Sequence, residues 1–284
     1  MPEFDPRLTP ARPDLAAMHL KGRVEAARFV EGVVREVVDP QAPLRRMPAP
    51  DAVLDTEALK GERVTVYEAT DEGWSWCQLE SDEHVGWMPS GALGPPGPPA
   101  THKVTAMRTL VFPGPSIKLP PIESLSFGCR IAIARVVDAL AMTVAARWVP
   151  ARHLAPSGAR EGDFVAIAER FVGVPYLWGG KTSFGIDCSG LVQLALAAAG
   201  VACPRDSDMQ EESIGRPIAP AADFSNLRRG DLVFWKGHVA IARDPTSLMH
   251  ANAFHMAVAI EPLLEAINRI KLAGSVITSV RRID

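Results

Sequence analysis

Apolar and polar positions divide the chain into two textures. Between about residues 36 and 156, short runs such as Arg63-Val64-Thr65-Val66 and Arg130-Ile131-Ala132-Ile133 alternate apolar with polar or small residues. Turn residues separate them, as in small all-β domains built from half-buried strands. From about Glu161 the pattern changes. Asp163–Val172 has helical spacing, and Ser189–Ala199 is a helical run closed by Gly200, a suitable residue just past a helix end. After Arg228-Arg229-Gly230-Asp231, the runs Leu232–Trp235 and His238–Ala242, joined by Lys236-Gly237, predict a hairpin. A further strand pair is expected around 247–251 and 256–260. Helices precede an antiparallel sheet, an α+β order. At the other end, a Pro-rich arm leads into Leu15–Val30, which reads as a short helix.

The all-β region repeats itself. Pro43-Leu44-Arg45, Leu59–Val66 and Gly86-Trp87-Met88-Pro89 with Leu93 have counterparts in Ala106-Met107-Arg108, Leu125–Ile133 and Arg147-Trp148-Val149-Pro150 with Leu154. The offset is 61 to 67 residues, with small insertions allowed, and such a recurrence in order marks duplicated units. Gly94-Pro95-Pro96-Gly97-Pro98-Pro99 lies between them and is a linker by composition. The expected organisation is an arm over 1–35, β-domains over 36–94 and 104–156 flanking a linker at 95–103, and an α+β domain over 157–284.

Bulk properties exclude several classes. A formal net charge of −3 gives no electrostatic reason to expect nucleic acid or an acidic membrane surface as partner. Cys77, Cys129, Cys188 and Cys203 lack the paired spacing of a zinc site and are too few for a disulfide scaffold. Cys77, Cys129 and Cys203 read as small buried apolar residues. The opening residues show no basic-then-apolar signal segment and no run reaches membrane-spanning length, so a cytoplasmic protein with reduced thiols is expected.

Candidate chemistry centres on Asp187-Cys188-Ser189, immediately before a run of helix formers. Unpaired N–H groups and the helix dipole favour a thiolate in a first turn. Asp187 is the natural cap, yet as an anion it opposes thiolate formation and needs another task. Ser189 is placed to reach backbone or substrate. A thiol nucleophile needs a base, and the base needs an orienting group. His238 opens the second strand of the hairpin, and His250 begins a run on the next strand, with His255 a weaker alternative. Read without a family, a helix-start cysteine is usually packing and a strand histidine usually structural.

Pro175-Tyr176-Leu177-Trp178-Gly179-Gly180, Gly185–Val192, Pro204-Arg205, Gln210, Gly230–Phe234 and Gly237–Ile241 together resemble the NlpC-type cysteine peptidases, papain-like enzymes that cut bacterial cell-wall peptides. The two β-segments resemble bacterial SH3-like domains. The resemblance implies a papain-like α+β catalytic domain preceded by two small all-β SH3-like barrels. It implies Cys188 as nucleophile, His238 as general base, His250 as orienting residue and Tyr176 as a hydroxyl facing the oxyanion. The architecture is similar to the dipeptidyl-peptidase VI group. That likeness implies hydrolysis of the γ-D-Glu–diamino acid bond in murein tripeptide or tetrapeptide fragments with free N-terminal L-Ala, during peptidoglycan recycling, with no cofactor. It further implies that Asp187 is neutralised by the substrate ammonium, that Ser189 faces D-Glu, and that Glu62 and His84 line the amine pocket, His84 standing where the group has tyrosine. A non-catalytic wall-binding protein and an amidase or acyltransferase on the same scaffold are the alternatives. A zinc site from Cys188, Cys203, His238 and His250 lacks close ligand pairs.

Overall fold

The structure, a computed structural model, describes residues 4–283. It falls into two compact units, Met1–Gly158 and Ala159–Asp284.

The first unit begins with an extended arm. Strand β1 (Ala16–Ala17) runs parallel to β2 (Phe29–Val30), with one 3-10 turn over Met18–Leu20 between them. The helix expected over Leu15–Val30 is therefore absent. Leu15, Ala16 and Ala17 are all buried in succession, which an extended chain achieves and one helix face does not. The Ala16 and Ala17 amides donate to the Arg28 and Pro10 carbonyls, and Gly22 takes φ +80°.

A seven-stranded antiparallel sheet follows, built from β3 (Val33–Val37), β4 (Gln41–Arg45), β5 (Leu54–Leu59), β6 (Arg63–Ala69), β7 (Trp74–Leu79), β8 (Val85–Pro89) and β9 (Leu93–Gly94). Its order is β5-β4-β8-β7-β6-β3-β9. Alternation along these strands places Ala42, Leu44, Val64, Cys77, Leu79 and Met88 in one core with Val37 and Ala58. Eight shorter strands complete the unit: β10 (His102–Val104), β11 (Arg108–Val111), β12 (Glu123–Ser126), β13 (Arg130–Ile131), β14 (Ile133–Val137), β15 (Leu140–Thr143), β16 (Trp148–Pro150) and β17 (Leu154–Pro156). They pair as β13-β10-β17, β11-β12 and β14-β15-β16.

The internal repeat is visible as geometry. β8 and β16 each end in a proline, Pro89 at φ −58° and Pro150 at φ −55°. Each passes through a three-residue 3-10 turn into a strand opened by leucine, Leu93 or Leu154. Gly61 and Gly128 both sit at positive φ, and their amides donate to the carbonyls of Val37 and Val104 at 2.9 Å. Both valines are fully buried. Only glycine takes this left-handed turn without strain.

The second unit carries the candidate site. Helix α1 (Phe164–Glu169) is capped by Asp163, whose carboxylate accepts the Val165 and Ala166 amides. A small hairpin, β18 (Lys181–Thr182) and β19 (Gly185–Ile186), leads into α2 (Cys188–Ala199) and then α3 (Ser207–Ser213). Strands β20 (Arg216–Ile218), β21 (Leu232–Trp235), β22 (His238–Asp244), β23 (Ser247–Asn252), β24 (Ala257–Pro262) and β25 (Ile277–Arg282) form one antiparallel sheet in the order β20-β25-β21-β22-β23-β24. Helix α4 (Leu263–Leu272) joins β24 to β25. Helix α2, buried along nearly its whole length, packs on β22 and β23. It ends at Gly200, φ +83°. The predicted hairpin is present, with Trp235 opposite His238. Its turn residue Gly237 has φ +74°, with open space where a Cβ would stand.

Gly237→Ala is expected to lower unfolding stability by about 1 kcal/mol, for backbone reasons alone. A urea titration measures this, and an unchanged midpoint would show that the turn does not need its left-handed residue.

Candidate active site

The site is assembled around one carboxylate. Asp187 caps α2 by accepting the Gly190 amide at 2.7 Å through Oδ1. Its Oδ2 accepts the Gly179 amide at 2.9 Å. Arg205 closes on both oxygens, Nη1 to Oδ1 at 2.9 Å and Nη2 to Oδ2 at 2.6 Å. The Ser189 hydroxyl accepts from Arg205 Nη1 at 2.8 Å and donates to Asp187 Oδ1 at 3.3 Å. Gln210 adds two donated bonds, to the Ser189 and Pro204 carbonyls. A Cβ on Gly190 would stand 2.5 Å from the Gly180 carbonyl, so the first turn of α2 approaches the Gly179-Gly180 turn closely enough to exclude any side chain.

Within the fold the Asp187 charge is already paired, with Arg205, which is 1% exposed. A carboxylate beside a nucleophilic thiol would otherwise be both desolvated and repulsive.

Cys188 opens α2 and is buried. Burial pushes its thiol up to about 12, the Asp187 charge adds to this, and hydrogen bonds from the Val239 and Ser189 amides together with Arg205 act in the opposite direction. The Val239 amide belongs to the peptide that follows His238, so the backbone beside the base meets the sulfur. Burial also lowers His238 to about 3, helped by His250 and Arg269 and opposed by Glu261. Burial thus favours the neutral form of both groups. Tyr176 is pushed up to about 12 by burial and by the nearby Cys188 and Asp187. Its hydroxyl therefore stays protonated and able to donate. Its amide donates to the Met256 carbonyl, and the residue bridges to Ile186, which fixes the tyrosine segment next to the start of α2.

Behind the base, His238 Nε2 and His250 Nδ1 lie 2.7 Å apart. His250 Nε2 meets Glu261 Oε1 at 2.5 Å, and Arg269 of α4 meets the same oxygen at 2.5 Å. Burial alone would raise the Glu261 carboxyl, but hydrogen bonds from His250 and Arg269 hold it at about 2. His255 stands off, its Nδ1 3.9 Å from Glu261 and 3.1 Å from Asn252 Oδ1.

The sequence reading brought together Cys188, His238, His250, Tyr176, Asp187 and Ser189. It missed Glu261 and Arg269, and it quoted Arg205 and Gln210 only as motif letters. The signal for Glu261 lay in the hairpin register, since His250 opposes Ala259 and Leu248 opposes Glu261, which sets Glu261 diagonal to His250 on the same face. Glu62 and His84 lie in the other unit, and both are buried. The Glu62 carboxylate accepts the Leu59 amide at 3.1 Å, and the His84 ring stands 3.5 Å from Asp82 Oδ1. Cys77 and Cys129 are buried as expected, whereas Cys203 is partly exposed, its thiol donating to the Pro204 carbonyl.

A thiol at a helix start, a strand histidine whose following amide meets the sulfur, and a second histidine bonded to the first are the group types that cysteine peptidases use. The chain is such an enzyme: residues 173–274 match the NlpC/P60 family, and residues 44–93 match the bacterial dipeptidyl-peptidase SH3 domain. A gamma-D-glutamyl-L-lysine dipeptidyl-peptidase of Bacillus cereus is 26% identical over 244 residues, 74% of this chain and 71% of its own. A protein of the same name from Bacillus subtilis is 27% identical over 249 residues, 79% of this chain and 81% of its own. The crystal structure of an NlpC/P60 family protein from Bacillus cereus shares the fold with a TM-score of 0.73, covering 88% of this chain and 99% of that one at 20% identity.

The lowered His238 sets a pH dependence of stability. Between about 6.5 and about 3 the unfolded chain binds a proton that the folded ring refuses, so stability falls as pH drops through that window. The slope is at most about 1.4 kcal/mol per pH unit. Urea midpoints from pH 7 to pH 5 should decline, and more shallowly in His238→Gln. Equal slopes for both proteins would contradict a buried neutral ring.

Proposed function

We propose that the protein hydrolyses the γ-D-Glu–diamino acid bond of murein peptides that carry a free N-terminal L-Ala. The observation that carries this reading is the joint occurrence of the NlpC/P60 and dipeptidyl-peptidase SH3 segments in one chain. They are aligned over most of two relatives named gamma-D-glutamyl-L-lysine dipeptidyl-peptidase. The repeated proline–3-10–leucine geometry supports reading residues 104–156 as a second SH3-like barrel. The proposal extends to tripeptide and tetrapeptide fragments already freed from the wall, and hence to peptidoglycan recycling in the cytoplasm.

The reaction is acyl transfer through a thioester. His238 takes the Cys188 proton as sulfur bonds to the γ-carbonyl carbon of D-Glu. The carbonyl electrons move onto oxygen, where the Tyr176 hydroxyl and the Cys188 amide donate. Loss of one such donor costs on the order of 3 kcal/mol of barrier. As the carbonyl reforms, the C–N bond breaks and the diamino acid amine leaves with the proton held by His238. Water then attacks the thioester, gives a proton to His238, and that proton returns to sulfur as the L-Ala-γ-D-Glu acid departs.

Cys188→Ala is expected to abolish release of the diamino acid from L-Ala-γ-D-Glu-diamino acid peptides, followed by chromatography of the products. N-acetylating the L-Ala should block the intact enzyme. Turnover by the alanine variant would remove the assignment to a thiol peptidase. Equal cleavage of capped and free peptides would remove the free-amine preference.

A further inference from the structure

We propose that Glu261 and Arg269 are positioning residues for the peptidase reaction, Glu261 setting the proton arrangement of the His250–His238 chain so that His238 presents Nδ1 as base, and Arg269 limiting the charge that Glu261 contributes.

The argument begins with donors and acceptors. An ionised carboxylate only accepts, so the 2.5 Å contact requires a proton on His250 Nε2. With one proton on the His250 ring, Nδ1 keeps its lone pair. The 2.7 Å contact requires a donor opposite that lone pair, so His238 holds its proton on Nε2. His238 Nδ1 is left bare. One carboxylate thereby fixes two tautomers, and the second is that of the base. A His250 ring with the opposite tautomer would face Glu261 lone pair to lone pair.

The same chain acts on charge. When His238 takes the thiol proton, the imidazolium is separated from Glu261 only by the His250 ring. Glu261 favours this charge and Arg269 opposes it. The charged and titratable groups around Glu261 are His250 from β23, Arg269 from α4 and His255 from the loop before β24. Cys188 opens α2, and its sulfur meets the Val239 amide next to His238. Arg269 is itself held, its guanidinium 4.3 Å from the centre of the Phe254 ring.

This inference rests on the cysteine-peptidase chemistry but not on which peptide is cut. The test therefore reads the thiol directly, and a wrong substrate leaves it intact. The rate of Cys188 alkylation by iodoacetamide at pH 7 reports formation of the thiolate–imidazolium pair. Glu261→Gln, which keeps an acceptor and removes the charge, should slow alkylation about tenfold, the effect of one pKa unit. Arg269→Gln, which removes the opposing charge, should raise the rate, and an unchanged rate would remove the role given to Arg269. Equal slowing in both variants, or no change in Glu261→Gln, would overturn the proposal, because a merely structural pair responds alike to losing either member. Nitrogen NMR of labelled histidines in the unaltered protein decides the matter even where a variant fails to fold. Both His238 and His250 are expected protonated at Nε2 and bare at Nδ1, and a His238 protonated at Nδ1 would overturn the proposal.

Discussion

Everything at the site depends on the buried pair of Asp187 and Arg205. A buried ion pair is not stabilising by itself, since desolvation of two charges offsets most of the attraction. It persists where every lone pair and proton is used. Here the carboxylate takes the Gly179 and Gly190 amides, two guanidinium nitrogens and the Ser189 hydroxyl. Those partners come from three places: the turn before β18, the start of α2 and the segment after it. The pair thus fixes where the nucleophile's helix begins. It also lets an acid stand beside a thiol without leaving its charge uncompensated.

The thiol and imidazole are placed by secondary structure more than by direct attraction. Helix α2 lies on β22 and β23, and the Val239 amide reaches the sulfur. Burial favours the neutral form of both reacting groups, the thiol pushed up to about 12 and the ring lowered to about 3. In the proposed reaction, charge separates only as the thiol proton moves, with the Val239 and Ser189 amides, Arg205 and the groups bonded behind His238 already in place. Preorganised dipoles of this kind act most strongly in a site that excludes water.

Much of this was legible in the chain, for local reasons. Asp187 and Gly200 bound α2 because one caps and the other takes the left-handed turn. Lys236-Gly237 marked the hairpin, and the spacing of His238 and His250 marked adjacent strands. The failures were long-range. Arg205 lies 18 residues from Asp187, and nothing in its neighbourhood announces the pairing. Glu261 belongs to no motif, and only the strand register sets it beside His250. Strand β25 ends the chain yet sits inside the sheet between β20 and β21, an insertion that no local pattern encodes. The arm over Leu15–Val30 looked helical by propensity, but the carbonyls of Arg28 and Pro10 took its amides.

The dependence on Asp187 and Arg205 is tested most directly by a double-mutant cycle on unfolding free energy, using Asp187→Asn, Arg205→Met and both together. Each single change leaves a buried charge without its partner and is expected to cost about 3–5 kcal/mol. The double variant should cost clearly less than the sum of the two. Costs that simply add, or single variants as stable as the parent, would contradict the account.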